Sequence, residues 1–125
     1  MNIAAYMVAG ISVLTVITSM VYSFPLAEVI GNSMKPTLLD GDIVLCCRFY
    51  KLTLGNIYVF KSPGGLRVVK RLFAVNTKKE CFFVGDNRGD SKDSRVYGYV
   101  SQKTIVAEVI FHKKRGKNNE GTKNT

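Results

Sequence analysis

The feature that most constrains this chain is an uncharged apolar run at its start, residues 3–24. Its only polar groups are hydroxyls, and serine or threonine within a helix can bond the carbonyl one turn back. At the helical rise, a run of this length matches a bilayer core of about 30 Å. No lysine or arginine precedes it, and it exceeds the roughly 7 to 15 apolar residues of a cleavable signal peptide. We therefore predict an uncleaved transmembrane anchor over residues 3–24, ended by Pro25.

The remainder of the 125-residue chain suffices for about one small domain. A domain of that size has no interior that could hide a helix apolar on all sides, so a buried core helix is the less favoured alternative for residues 3–24. Lys35 is the only lysine or arginine within about twenty residues after the run. The charge rule therefore does not fix the orientation of the anchor.

After Pro25 the composition changes to one typical of β-strands. Short runs rich in Val, Ile, Phe and Tyr alternate with turns rich in Gly, Pro, Asn and Asp. The predicted strands cover residues 43–48, 57–60, 66–75, 81–84 and 104–112. We predict a mostly β fold, a small antiparallel, partly closed β-barrel-like domain over residues 25–112 on one N-terminal transmembrane helix. Residues 113–125 are polar and basic and are predicted to be a disordered tail.

The three cysteines, Cys46, Cys47 and Cys81, argue against a metal site. They show no Cys-x-x-Cys spacing, and the chain has one histidine, so a structural zinc site is not expected. All three lie in apolar runs, where a free cysteine behaves as a small buried hydrophobe. A disulfide from Cys81 to Cys46 or Cys47 is the less favoured alternative. We predict neither a metal nor another cofactor.

A serine and a lysine in separate stretches suit hydrolytic chemistry. Ser33 lies in the turn-rich stretch of residues 31–42, and strand alternation places Lys70 on an apolar face of residues 66–75. A lysine on such a face must reach solvent or lose its charge. A serine hydrolase without a His–Asp pair needs a neutral lysine as its base. The non-catalytic alternatives are that Ser33 only forms a turn and that Lys70 is an edge-strand charge that prevents aggregation.

A third stretch, residues 85–95, combines turn formers with charged residues. A calcium loop counted from Asp86 would need oxygen ligands at Arg88 and Tyr97, so this stretch does not fit a calcium site. It fits a hydrogen-bonded scaffold better, because Asp93 and Arg95 can pair and a serine hydroxyl can orient an amine.

Three sequence blocks follow one another in a characteristic order. They are Ser33-Met34-x-Pro36-Thr37-Leu38 with Gly41-Asp42, then Val69-Lys70-Arg71, then Gly85-Asp86-Asn87 with Ser91-x-Asp93-Ser94-Arg95 and a closing Tyr97-Gly98. With the upstream anchor, these blocks resemble the bacterial type I signal peptidases and their mitochondrial inner-membrane relatives. The resemblance covers roughly residues 24–111.

The resemblance implies a membrane-bound serine endopeptidase that removes N-terminal signal peptides from exported preproteins. It implies that Ser33 is the nucleophile and that Lys70 is the general base. The other implied roles are orientation of the lysine amine by a hydrogen bond from Ser91, structural support by Asp86, Asp93 and Arg95, and substrate contact in shallow pockets by Met34 and Leu38.

The chain departs from the family pattern near the oxyanion site. The expected donor there is the backbone N–H of Ser33. Some members add a hydroxyl two residues earlier, where this chain has Gly31. The connection from Lys70 to Gly85 is short, so the larger β insertion of many bacterial members is missing. We expect a minimal catalytic core.

The implied partners are signal peptides and the lipid bilayer, without nucleic acid or metal. The basic tail lacks the aromatic interleaving of nucleic-acid segments. The resemblance places the domain on the outer face of a bacterial plasma membrane, with the mitochondrial inner membrane, facing the intermembrane space, as alternative. Two other functions remain open: a self-cleaving serine/lysine repressor-type protease, and a non-catalytic membrane-tethered protein that binds signal peptides or anionic lipid.

Overall fold

A computed structural model of the protein describes residues 2–113 and begins with one long helix. This helix, α1 (Ile3–Ser23), is capped by Asn2, whose side chain accepts a 3.1 Å hydrogen bond from the Ala5 N–H. Its hydroxyls donate to carbonyls one turn back, as expected, at Ser12, Thr15, Thr18 and Ser23. The helix is exposed and is long and apolar enough to cross a membrane. The predicted tail, residues 113–125, lies outside the described residues beyond Lys113.

The domain that follows α1 is a seven-stranded antiparallel sheet with one short α-helix and two single-turn 3-10 helices, Arg88–Asp90 and Gln102–Thr104. The elements are β1 (Leu26–Glu28), β2 (Ile43–Cys47), β3 (Ile57–Lys61), β4 (Arg67–Val75), β5 (Glu80–Val84), α2 (Ser94–Tyr97), β6 (Val100–Ser101) and β7 (Ile105–Lys113). The strand order is β1-β2-β7-β3-β4-β5-β6. The sheet curls into a half-barrel, so the predicted fold class is confirmed. The five predicted strands are present, whereas β1 and β6 are too short to give a visible alternation.

The central strand β3 is buried on both faces, which explains its continuous apolar run. Its first and third residues pack in a cluster with Met34 and Leu38. Its second and fourth residues, Tyr58 and Phe60, belong to a second cluster, in which the Phe60 and Phe83 rings stack with centroids 4.1 Å apart. The loop that carries Ser33 is therefore anchored in one of two distinct cores.

Helix α1 ends against the last residues of β2. The Arg48 N–H donates to the Ser23 carbonyl at 2.9 Å, and Arg48 Nε donates to the Tyr22 carbonyl at 2.7 Å. The same guanidinium lies 4.6 Å from the centroid of the Tyr22 ring, a cation–π contact. The Cys46 N–H donates to the Pro25 carbonyl at 2.9 Å. These contacts fix where the helix joins the sheet.

All three cysteines are free thiols, so the disulfide alternative is not realised in this structure. Cys46 and Cys81 are buried, as predicted, and burial raises the pKa of both thiols. Cys47 is half-buried, and its thiol donates to the Phe49 carbonyl at 3.0 Å. The cysteines therefore serve as packing residues.

Candidate active site

Ser33 lies in the loop that connects β1 to β2. The ends of this loop are closed by hydrogen bonds from the Gly41 N–H to the Val29 carbonyl and from the Gly31 N–H to Asp40 Oδ1, both 2.7 Å long. Gly31 and Gly41 have φ values of 89° and 85°, a backbone region that glycine adopts without steric cost. The glycine two residues before Ser33 thus serves the turn rather than the oxyanion.

The two predicted substrate-contact residues occupy different places. A cavity of about 130 Å³ is lined by Ser33, Lys70 and Met34, among others. Met34 also accepts a 3.5 Å hydrogen bond at its sulfur from the Asp86 N–H. Leu38 does not line this cavity. It is wholly buried in the core beneath the loop, so its predicted substrate contact is corrected to a packing role.

The amine of Lys70 meets the hydroxyl of Ser33, with 2.5 Å between Nζ and Oγ. Lys70 comes from the middle of β4 and is only 5% exposed, because its strand face is apolar, as predicted. Burial lowers the pKa of the Lys70 amine, while the carboxylates of Asp93 and Asp90 act in the opposite direction. A buried amine with a lowered pKa, in contact with a serine hydroxyl, can take the hydroxyl proton.

Asp93 is the most enclosed charge of the site, with no exposed surface. It accepts hydrogen bonds from Arg95 Nε at 2.9 Å, from the Gly85 N–H at 2.9 Å and from Ser91 Oγ at 2.7 Å. Burial alone would raise the pKa of this carboxyl, but these donors together hold the pKa well below its usual range. Asp93 therefore stays ionised beside the lysine.

Ser91 lies at the site but contacts a different partner from the one predicted. Its hydroxyl donates to Asp93, and no hydrogen bond joins Ser91 to Lys70 within residues 2–113. Its closeness to Ser33 is clear at Gly85, where an added Cβ would overlap the Ser91 hydroxyl and lie 2.6 Å from the Ser33 carbonyl oxygen. In this structure the Ser91 hydroxyl bonds the carboxylate of Asp93, whose charge acts on Lys70, and a direct orientation of the lysine amine by Ser91 stays a prediction.

Asp86 connects strand β4 to the loop that carries Ser33. Arg71 binds it through two hydrogen bonds, Nε to Oδ1 at 2.8 Å and Nη2 to Oδ2 at 2.6 Å. Thr37, in the loop, donates its hydroxyl to Oδ2 at 2.5 Å. The Arg71 hydrogen bonds, aided by Thr37, hold the pKa of Asp86 below its usual value despite its burial. The ion pair is therefore present at neutral pH.

Some residues at the site were not given a role by the sequence. The Asn87 N–H donates to the Ser33 carbonyl at 2.9 Å, and Asn87 Nδ2 donates to the Asn32 carbonyl at 3.0 Å, from 55 positions away in the chain. Gly85 permits this approach. The only sequence signal was the Gly85-Asp86-Asn87 block, which does not by itself name a partner.

The backbone at Ser33 offers the expected oxyanion donor. Its carbonyl is held by Asn87, whereas its N–H donates to no acceptor among the described residues. A donor fixed in a closed loop and left without a partner suits a charge that develops only during reaction.

Comparison with known proteins agrees with this geometry. Residues 8–110 match the Peptidase S24-like family. The chain belongs to this family. Three relatives of this Peptidase S24-like chain are each named mitochondrial inner membrane protease subunit 1. The protein from Homo sapiens is 30% identical, and those from Xenopus tropicalis and Mus musculus are 28% identical.

Each of these matches covers 65% of this chain and 64% of the relative, so the Peptidase S24-like chain spans just under two thirds of the relatives' length. The resemblance to mitochondrial inner-membrane relatives, predicted from three ordered sequence blocks, is confirmed.

Proposed function

We propose that this chain is a membrane-bound serine endopeptidase of the type I signal peptidase kind, which cleaves N-terminal signal peptides from exported preproteins with a Ser33/Lys70 dyad. The observation that carries the proposal is the 2.5 Å contact between Lys70 Nζ and Ser33 Oγ on an apolar strand face. Family membership and the names of the relatives, which are proteases, support the same reaction class.

In the first step, neutral Lys70 takes the proton of Ser33 Oγ as that oxygen attacks the scissile carbonyl carbon. The carbonyl oxygen becomes an oxyanion that accepts a hydrogen bond from the Ser33 N–H. The ammonium of Lys70 then gives its proton to the leaving amine as the C–N bond breaks. Water, deprotonated by the same lysine, attacks the acyl carbon, the C–Oγ bond breaks, and the Lys70 ammonium returns the proton to Ser33 Oγ as the second product leaves as a carboxylate.

The carboxylate of Asp93 raises the proton affinity of Lys70 during this cycle. Burial makes the neutral amine available at the start, and the Asp93 carboxylate stabilises the ammonium that forms as Ser33 loses its proton. Since Arg95, Gly85 and Ser91 already donate to this carboxylate, it cannot simply accept the lysine's proton. Asp93 and Ser91 are therefore positioning residues.

The cavity at the dyad limits the size of the substrate side chain that can bind there. Its volume of about 130 Å³ is adequate for a small residue, and Met34 lies in its wall. Arg67 and Glu28 also line the cavity, so its wall carries one positive and one negative side chain. We propose that cleavage follows a small residue, as in the Ala-x-Ala type of signal.

The membrane that carries the enzyme belongs to the proposal as well. Helix α1 has the length and composition of a membrane span, and the relatives are named as proteins of the mitochondrial inner membrane. These names support the mitochondrial inner membrane as an alternative to a bacterial plasma membrane. For the mitochondrial case we propose that the domain faces the intermembrane space.

The decisive test is cleavage of a preprotein by the full chain in detergent. We expect Ser33→Ala and Lys70→Ala each to lower the cleavage rate by at least about 10³-fold, because the two residues act as one unit. Matched controls are Ser62→Ala, at the start of the β3–β4 turn, and Lys61→Ala, at the exposed last residue of β3. Undiminished cleavage by either dyad variant would refute the dyad.

A further inference from the structure

A basic cavity lies away from the dyad, between the β4–β5 turn and the segment that leads into β7. Its volume is about 420 Å³, and its walls include Lys78, Lys79 and Lys103 together with Tyr50 and Glu80. Glu80 is the only carboxylate that lines it within residues 2–113. Three ammonium groups against one carboxylate favour an anionic ligand.

This cavity begins close to the end of α1. Arg48 is bonded to the backbone of Tyr22 and Ser23, and Tyr50, in the cavity wall, follows Arg48 by two residues. Two residues span at most about 7 Å. Between them, Phe49 is 73% exposed. Tyrosine rings, such as that of Tyr50, are enriched at the bilayer interface.

One of the lysines adopts an unusual backbone conformation. Lys79 has a φ of 60°, the left-handed region in which residues with a side chain are disfavoured by about 1 kcal/mol. The turn is fixed by Asn76, whose Oδ1 accepts from the Lys78 and Glu80 N–H groups. Glycine would fit this position without strain. A cation therefore stands where the backbone alone would favour glycine, which suggests a use for its charge.

The basic surface continues into a larger neighbouring cavity of about 670 Å³. Lys103 lines both cavities, and the second adds Lys61 and Arg67 with no carboxylate among its described lining residues. The positive field thus extends over a surface much wider than one side chain.

We propose that the cavity of Lys78, Lys79 and Lys103 binds the headgroup of an anionic phospholipid from the bilayer that holds α1. The ammonium groups donate to phosphate oxygens, and Tyr50 and Phe49 lie at the level of the interface. Each lysine near an anionic membrane surface favours anionic lipid by roughly fivefold. The inference rests on the membrane anchoring proposed above but not on peptidase activity.

The chain offers a clean optical probe because it contains no tryptophan. Phe49→Trp in the full-length protein places one indole beside the cavity. The protein is reconstituted in vesicles that contain either brominated phosphatidylglycerol or brominated phosphatidylcholine, and the ratio of the two quenching efficiencies measures headgroup preference. We expect brominated phosphatidylglycerol to quench more strongly at equal mole fraction.

Two double variants of equal net charge, each in the Phe49→Trp background, test whether the phosphatidylglycerol preference arises from the cavity. Lys78→Gln with Lys103→Gln removes two cavity cations and should lower the preference by roughly fivefold per lysine. Lys35→Gln with Lys92→Gln removes two exposed cations elsewhere and should retain it. The tail is identical in all variants, so its attraction to lipid cancels. Equal behaviour of the two double variants would overturn the proposal.

Lys79→Gly separates binding from folding. It removes a charge but relieves the backbone, so we expect a higher unfolding temperature together with a lower phosphatidylglycerol preference. An unchanged preference in Lys79→Gly would contradict a lipid role for this lysine. Inorganic phosphate, added at constant ionic strength, should leave the quenching ratio unchanged. If phosphate abolishes the preference, the cavity takes free phosphate and the lipid proposal is wrong.

Discussion

At the scale of single residues, Lys70, the proposed general base, lies where burial disfavours a charged amine. Its pKa is lowered by burial, so between that pKa and the ordinary value of 10.5 the unfolded chain binds more protons than the folded one. The free energy of unfolding therefore rises with pH across this window. Below the window, the buried lysine lowers stability by about 1.4 kcal/mol for each pKa unit.

We accordingly expect Lys70→Met to abolish cleavage and yet stabilise the domain at neutral pH. The gain should shrink as the pH rises toward 10.5. Denaturant unfolding of the two proteins in detergent, followed by circular dichroism at several pH values, measures this difference. Lys61→Met, at an exposed position, should change stability by no more than about 0.5 kcal/mol. A pH-independent loss of stability in Lys70→Met would contradict the lowered pKa.

Asp90 gives a mild way to change the base without disturbing its packing. Its carboxylate is exposed and raises the pKa of Lys70 through its charge. Asp90→Asn should therefore lower that pKa further and move the acidic limb of the cleavage–pH curve to lower pH. Glu80→Gln is the control, because Glu80 is not among the charges that shift Lys70. A curve for Asp90→Asn that superimposes on wild type would argue that Lys70 is not the titrating base.

At the scale of elements, the candidate site depends on the close approach of the loop after β5 to the loop that carries Ser33. Gly85 is where the two meet, and a methyl group there would overlap Ser91 and press on the Ser33 carbonyl. We expect Gly85→Ala to destabilise the domain by about 1–3 kcal/mol and to lower the cleavage rate by up to about 100-fold.

Gly64→Ala is the matched control for this substitution. An added Cβ there would lie 3.8 Å from Ser62 Oγ, an ordinary contact, and Gly64 does not have a positive φ. Thermal unfolding and the cleavage rate report the two effects. Wild-type stability and rate in Gly85→Ala would show that the loops are not packed as described.

At the scale of the whole molecule, Arg48 joins the helix to the sheet. We expect Arg48→Met to loosen the domain relative to the membrane, because it removes the bond to the Tyr22 carbonyl and the cation–π contact. Cleavage of a membrane-inserted preprotein should fall by roughly tenfold, while cleavage of a short soluble peptide stays unchanged. Lys51→Met, on the same loop, should affect neither. Equal losses on both substrates would point instead to damage within the domain.

The sequence predicted the parts of this molecule that follow from local pattern. The apolar run gave the helix, the β-rich runs gave five strands, and alternation along β4 placed Lys70 on an apolar face, which is where it lies. The alternation of side chains along β4 does not predict which loop covers that face. The contact of Ser33 with Lys70 was expected only because the ordered motifs resemble a known family.

The rest depended on contacts between distant segments. Leu38 follows the nucleophile at a distance that suits a pocket wall, yet the loop turns it into the core. Ser91 was expected to reach the lysine, but Asp93, two residues away, is buried and competes for its hydroxyl. Strands β1 and β6 are two or three residues long, so their pairing, not their composition, defines them.

The short connection between α1 and Ser33 limits how far Ser33 can lie from the membrane. Ser33 lies ten positions after Ser23, the last residue of the helix. Even a fully extended chain of that length reaches only about 35 Å. The closed turn before Ser33 shortens the reach further. For the proposed signal peptidase, we therefore expect cleavage of a preprotein held in the same bilayer only if its scissile bond emerges within that height of the membrane.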